Sequence, residues 1–151
     1  LLEQITLRKP TLLPELRVID FNPQVHEKLR RRGVQVVYGD ISQRDVLLHS
    51  GVSEAKIIIC SLPDIILKGT SNLRLLRQLR EVAPQACIVV NAERLADVPQ
   101  LYAAGANYVL TPRLLEASEL LSLVEAADKN LLEEKRRHQA ELLEDRNEVL
   151  P

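Results

Sequence analysis

Short runs of β-branched and aliphatic residues alternate with helical segments along most of this chain, and that alternation confines it to a parallel α/β sheet. The runs fall at 16–20, 34–38, 56–61, 86–91 and 107–110. Their continuous apolar character, without polar alternation, predicts strands buried on both faces. Helices are expected between them at 23–32, 42–50, 70–82 and 94–104, with a further one at 112–127. Pro23 suits a first helical turn, and Gly33, Gly51 and Gly105 each follow a helix where a cap is wanted. Ser42 with Asp45 three residues on comes close to a capping box. Leu73, Leu76, Leu79 and Val82 recur at helical spacing, which assigns Arg74, Arg77 and Arg80 to a solvated face.

Charge and composition narrow the function classes. Lys plus Arg number 20 against 21 Asp plus Glu, a net charge of −1, which argues against a nucleic-acid binder. No apolar run approaches the ~20 residues that cross a bilayer, no secretory leader pattern opens the sequence, and the chain itself is expected to be soluble. Cys60 and Cys87 lie in apolar runs and are expected to be core thiols in a reducing compartment. His26, His49 and His138 stand apart on predicted helices, without a second ligand at metal spacing, and are expected at the surface or its boundary. From Asp128 onward charge dominates. The apolar pairs Leu131/Leu132, Leu142/Leu143 and Val149/Leu150 fall on one helical stripe, and Lys129/Glu133 and Glu133/Arg137 are spaced to pair along it. This tail is either a frayed terminal helix or one that docks on a partner chain.

In open parallel sheets ligands bind beyond the carboxyl ends of the strands. Those ends read Val18-Ile19-Asp20-Phe21-Asn22-Pro23, Tyr38-Gly39-Asp40-Ile41 and Cys60-Ser61-Leu62-Pro63-Asp64. An acidic residue ending a strand, such as Asp20, can accept from both hydroxyls of a ribose. Asp40, one strand over, can accept from an adenine amino group while Ile41 covers the ring. The alternative is that both aspartates cap the helices that follow them.

The runs Val18-Ile19-Asp20-Phe21-Asn22-Pro23 and Arg32-Gly33-Val34-Gln35-Val36-Val37-Tyr38-Gly39-Asp40 resemble the nucleotide-binding half of regulator-of-potassium-conductance domains, also called KTN or TrkA-N domains. The resemblance continues through Gly51-Val52, Ala55-Lys56 and Ser61-Leu62-Pro63-Asp64, and closes with Ala103-Ala104-Gly105-Ala106-Asn107-Tyr108-Val109-Leu110-Thr111-Pro112. The stretch from Pro63 to Arg74 is most similar to the domains of Kef-type cation:proton antiporters. The resemblance implies a Rossmann-like parallel sheet with helices on both faces over 16–127, preceded by the end of a first helix and a linker at 1–15 and followed by the charged helical tail at 128–151. It also implies a regulatory domain on the cytoplasmic face of the inner membrane. Such a domain forms a homodimer, binds NAD(H), AMP, ADP or ATP, and acts on a transporter subunit or a covalently linked transmembrane domain. Carried over by position, Asp20 holds the ribose, Phe21 and Asn22 line the adenosine, Asp40 and Ile41 hold the adenine, and Ser61 and Leu62 border the phosphates.

One part of the family pattern is missing. The family opens with a strand and a Gly-x-Gly-x-x-Gly turn that holds the pyrophosphate, whereas none of the five glycines here precedes the Val18-Ile19-Asp20 strand. The chain, which also lacks any Met, is therefore expected to start inside the first βα unit of a longer protein. Without the central strand, the strands at 16–20 and 56–61 are expected to pair directly, to receive a strand from another chain, or to belong to a domain of which this sequence is only a part; direct pairing is the simplest. A secondary anion subsite is conceivable at Lys68-Gly69-Thr70-Ser71-Asn72, with helix capping by Thr70 or Ser71 as its alternative. Positions matching the carboxylate metal ligands of calcium-gated relatives hold Ser61, Asn91 and Glu93, so no metal site is expected. The functional expectation is a nucleotide-sensing regulatory domain without catalytic activity. A docking module that no longer binds nucleotide is the alternative, and a fragment of an NAD-dependent oxidoreductase is a third reading.

Overall fold

A computed structural model describes residues 1–144, and it divides into two compact units, 1–38 with 118 onward, and 39–117. The Val149/Leu150 pair lies outside the described residues.

The first unit opens with α1 (Leu2–Arg8), followed by a 3-10 turn at Pro10–Glu15. Strand β1 (Arg17–Asp20), helix α2 (Pro23–Arg31) and strand β2 (Gln35–Tyr38) then form one short βαβ unit. The two strands are parallel, in register from Arg17↔Gln35 to Asp20↔Tyr38. Asn22 caps α2 by accepting from the Gln24 N–H at 3.0 Å, and Pro23 occupies the first turn, where its missing N–H costs nothing. Past the helix, Gly33 takes a φ of +79°, a conformation that a side chain would strain. Val25, Leu29 and Val34 form the core of this unit, with Leu2, Leu13, Leu16, Val18 and Val36 packed around them. Glu3 is buried and is satisfied by Arg32 at 3.1 Å.

The second unit holds α3 (Arg44–His49), β3 (Ile57–Cys60), α4 (Asn72–Val82), β4 (Cys87–Asn91), α5 (Val98–Ala103) and β5 (Tyr108–Leu110). Its three strands are parallel in the order β3-β4-β5. Leu75, Leu76 and Leu79 of α4 are buried, as are Ile88, Val90 and Val109 on alternate positions of β4 and β5. The register pairs Ile57 with Cys87, Ile59 with Val89, and Val89 with Tyr108, so these side chains share the opposite face. That face is open, with Ile57 63 % and Tyr108 58 % exposed. Burial on both faces is therefore not what the second unit shows, because α4 covers only one side of its sheet. For the same reason Cys87 is exposed rather than in the core.

From the second unit, α6 (Pro112–Asp128) carries the chain back into the first, where α7 (Leu132–Leu143) follows. Asn130, at φ 56°, breaks the helix between them, and Leu131 N–H closes the end of α6 on the Ala126 carbonyl at 2.7 Å. Lys129 falls in that break, so it does not share a helix with Glu133; instead Lys135 reaches Glu119 at 3.4 Å, and Glu133 pairs with Arg136.

Three further expectations are corrected. The direct pairing expected for β1 and β3 is not found among the described residues, where β1 pairs with β2 and β3 with β4. Ser42 does not cap α3, whose N-cap is Gln43 and carries no side-chain bond. The segment expected as one helix at 94–104 is a 3-10 turn at Leu95–Asp97 leading into α5, with Pro99 in the first turn of that helix.

Candidate functional site

Asp20 ends β1 and turns its carboxylate back on its own chain: Oδ1 accepts from the Asn22 N–H at 2.6 Å. This is an Asx turn, in which the side chain mimics a backbone turn. Oδ2 accepts nothing among the described residues and is left for a donor from outside. The capping role considered for Asp20 belongs to its neighbour Asn22. Phe21 follows it, 62 % exposed, an aromatic face with no partner ring among the described residues. Asn22 spends its side-chain oxygen on the cap, so what it can offer a ligand is its flank rather than that acceptor.

Asp40 repeats the arrangement at the start of the second unit. Its Oδ1 accepts from the Ser42 N–H at 2.8 Å, again two residues on, and it too caps no helix. Gly39 permits this close entry, because a Cβ there would stand 2.5 Å from Val46 Cγ1 of α3. Ile41, half-buried, follows directly. Ser61 is exposed just past β3, and Leu62 is fixed by its carbonyl, which accepts from Asn72 Nδ2 at 2.9 Å. Asp20, Phe21 and Asn22 thus sit together at one strand end, Asp40 and Ile41 share a second turn, and Ser61 and Leu62 share a third.

The start of α4 is already supplied with an anion. Asp64 Oδ1 accepts from both the backbone N–H of Asn72 at 2.7 Å and its Nδ2 at 2.8 Å, and Ser71 Oγ accepts from the Arg74 N–H at 3.2 Å. A carboxylate at a helix N-terminus is favoured by the helix dipole, and this one takes the place that the Lys68–Asn72 stretch suggested for an external anion. Ser71 is the cap, while Thr70 Oγ1 is buried without a partner. Asp64, Asn72, Asn91, Asp97 and Gln100 border a hollow of about 160 Å³ at the ends of β3 and β4. The Oδ1 atoms of Asn72 and Asn91 are buried there and accept no bond. Nearby in β3, burial pushes the Cys60 thiol up to about 12, so it stays protonated and unreactive at neutral pH.

Sequence reasoning missed three side chains that hold these ends in place. His26 is 7 % exposed rather than at the surface, and its Nε2 lies 2.7 Å from the Asp20 carbonyl oxygen. Its position beside Val25 and three before Leu29, on the apolar stripe of α2, was the available signal. Arg80 leaves the solvated face to bond the backbone of two loops, and Asn72 ties Leu62 to Asp64. Neither had a local signature.

Several known proteins resemble this chain. A family model described as the TrkA-N domain matches residues 4–112. The glutathione-regulated potassium-efflux system protein KefC of Escherichia coli O139:H28 (strain E24377A / ETEC) is 31 % identical over 88 residues, which are 58 % of this chain and 14 % of KefC. This chain therefore matches only a small part of such relatives. Among solved structures, the TrkA-N domain of inner membrane protein ybaL from Escherichia coli superimposes with a TM-score of 0.64 and 25 % identity, covering 78 % of this chain and 87 % of that one. GsuK bound to ADP gives a TM-score of 0.55 at 28 % identity, covering 71 % of this chain and 28 % of that one. The GsuK channel bound to NAD gives 0.54 at 28 % identity, covering 70 % and 19 %. Among the described residues no helix is long and apolar enough to cross a membrane.

Proposed function

This chain belongs to the TrkA-N domain family, and from that premise we propose that it is an adenine-nucleotide-sensing regulatory domain of a potassium or other monovalent-cation transporter or cation:proton antiporter. The observation that carries the reading is the paired treatment of Asp20 and Asp40. Each follows or ends a parallel strand, each commits one carboxylate oxygen to an Asx turn, and each keeps the other oxygen without a partner among the described residues. Such a carboxylate is oriented before any ligand arrives, which lowers the ordering cost of binding.

In this reading Asp20 Oδ2 accepts from the ribose hydroxyls and the exposed Phe21 ring, with Asn22, lines the adenosine. Asp40 accepts from the adenine amino group, and Ile41 covers the base. Ser61 and the backbone at Leu62 border the phosphates. The residues fit the adenosine half of a nucleotide, the part that AMP, ADP, ATP and NAD(H) have in common. GsuK, a relative by structure, is described as bound to ADP and to NAD. Ligand binding rather than turnover is the output, and it biases an attached or associated transporter by differential affinity for two arrangements. The partner is a transporter subunit or linked transmembrane domain at the cytoplasmic face of the inner membrane. A second copy of this chain completes the assembly: α6 exposes Leu114, Leu115, Leu120, Leu121 and Val124, and a helix apolar on more than one side calls for burial.

The test is calorimetric titration of the chain with AMP, ATP and NADH. Saturable binding is expected, weakened in Asp20→Ala by roughly tenfold or more, about 1.4 kcal/mol, with the fold intact. Silence up to millimolar nucleotide, or an Asp20→Ala affinity equal to that of the unmodified chain, would favour the docking-module reading instead.

A further inference from the structure

We propose that His26 is a positioning residue that holds the end of β1 so that the Asp20 carboxylate and Phe21 receive the ribose and base of an adenine nucleotide. The inference rests on the nucleotide reading above.

His26 lies in α2, four residues past the Asn22 cap, and its ring reaches back over the turn to the strand that precedes the helix. Nε2 stands 2.7 Å from the Asp20 carbonyl oxygen. A carbonyl can only accept, so Nε2 carries the hydrogen and donates it, which fixes the tautomer of the neutral ring. The same ring meets Tyr38 edge-on, with centroids 5.6 Å apart and planes at 65°. Tyr38 is the β2 residue in register with Asp20. One buried imidazole therefore grips both strand ends of the first unit, through a hydrogen bond on β1 and a ring contact on β2.

Asp20 is consequently held at two points, its carbonyl by His26 and its Oδ1 by the Asn22 N–H. The Asp20 carbonyl belongs to the peptide plane that joins Asp20 to Phe21. Rotation of that plane re-aims Phe21 and strains the Asx turn, so the bond from His26 orients both ligand-facing groups without touching a ligand. Burial makes the bond matter, because a donor or acceptor that loses its partner away from water is not compensated by solvent. Among the described residues the ring's hydrogen-bond and ring partners are the Asp20 carbonyl and Tyr38, and Asp20 Oδ1 is engaged with the Asn22 N–H rather than with the imidazole.

Two variants of the full chain separate positioning from bulk packing. His26→Gln keeps an N–H donor near the place of Nε2, while His26→Leu keeps the volume and loses the donor. Each is followed by amide hydrogen exchange at Asn22, which reports the Asx turn, and by AMP titration, with melting temperature as the check on folding. In His26→Leu we expect Asn22 exchange to quicken and AMP affinity to fall, each by roughly tenfold (about 1.4 kcal/mol), and in His26→Gln both to stay within about threefold of the unmodified chain. If AMP binds, Asp20→Ala weakens that binding and His26→Leu moves neither readout, the positioning role is overturned while the nucleotide reading stands. Equal losses in His26→Gln and His26→Leu also overturn it, because retention of the donor would then be irrelevant. If the unmodified chain takes no AMP at all, the nucleotide reading falls and this proposal falls with it.

Discussion

Leu76→Ala is expected to destabilise the second unit by about 2–5 kcal/mol, the range for emptying a well-packed leucine site. Leu76 is fully buried in the middle of α4, at 0 % exposure, in a unit whose Leu75, Leu79, Ile88 and Val90 are buried as well. Alanine is the best helix former, so the helix itself loses nothing and the whole cost arises from lost contacts and the cavity left behind. Urea denaturation, followed by amide exchange at Ile88 and Val90, measures the effect. Leu48→Ala, at a position 46 % exposed, serves as the control and should cost less than about 1 kcal/mol.

Arg80→Met is expected to cost about 2–4 kcal/mol although it removes no core residue. The Arg80 guanidinium donates Nε and Nη2 to the Gly105 carbonyl at 3.2 and 2.7 Å, and Nη1 to the carbonyls of Pro84 and Ala86 at 3.0 and 2.8 Å. Nη2 also donates to Asn107 Oδ1 at 2.6 Å, and that oxygen accepts from the Ile88 N–H as well. One side chain thereby fastens the loop entering β4 to the turn entering β5, where Gly105 sits at φ +100°. Methionine keeps much of the stem packing but leaves these acceptors without their donor. Arg80→Lys should recover less than half of the loss, because an ammonium lacks the planar fork that serves four acceptors at once. Thermal melts of the two variants decide it; a drop of under 1 kcal/mol in Arg80→Met would show that water replaces the guanidinium freely.

Arg80 also marks the limit of what the sequence reveals. The strands were readable because β-branched runs such as Ile57 to Cys60 and Cys87 to Val90 are bounded by glycine, proline and asparagine, all local signals. Asp20 and Asp40 were readable as candidates because a parallel sheet gathers ligands at its strand ends, and the Asx turns that both form there had no signal beyond residue type. The acceptors of Arg80, in contrast, are backbone carbonyls up to 25 residues away, and their convergence depends on the chain path rather than on residue type. The link from Asp64 through Asn72 to Leu62 is hidden in the same way, since a Gly-Thr-Ser stretch reads as open amides until the carboxylate that fills them is placed. The pairing partners of β1 and β3 and the open face at Ile57 and Tyr108 also had no local signature. Continuous apolar runs tell how much a strand could bury, not which of its faces a helix covers.

The central claim is that an adenine nucleotide binds where Asp20 and Asp40 hold their Asx turns. Amide chemical-shift mapping of the isotope-labelled chain on addition of AMP tests it most directly. The expected result is saturable shifts at Phe21, Asn22, Ile41, Ser42 and Ser61, with α7 and the amides of Asn72 and Asn91 unmoved. Shifts confined to the hollow beside Asn72 and Asn91, or no shifts at millimolar AMP, would contradict it.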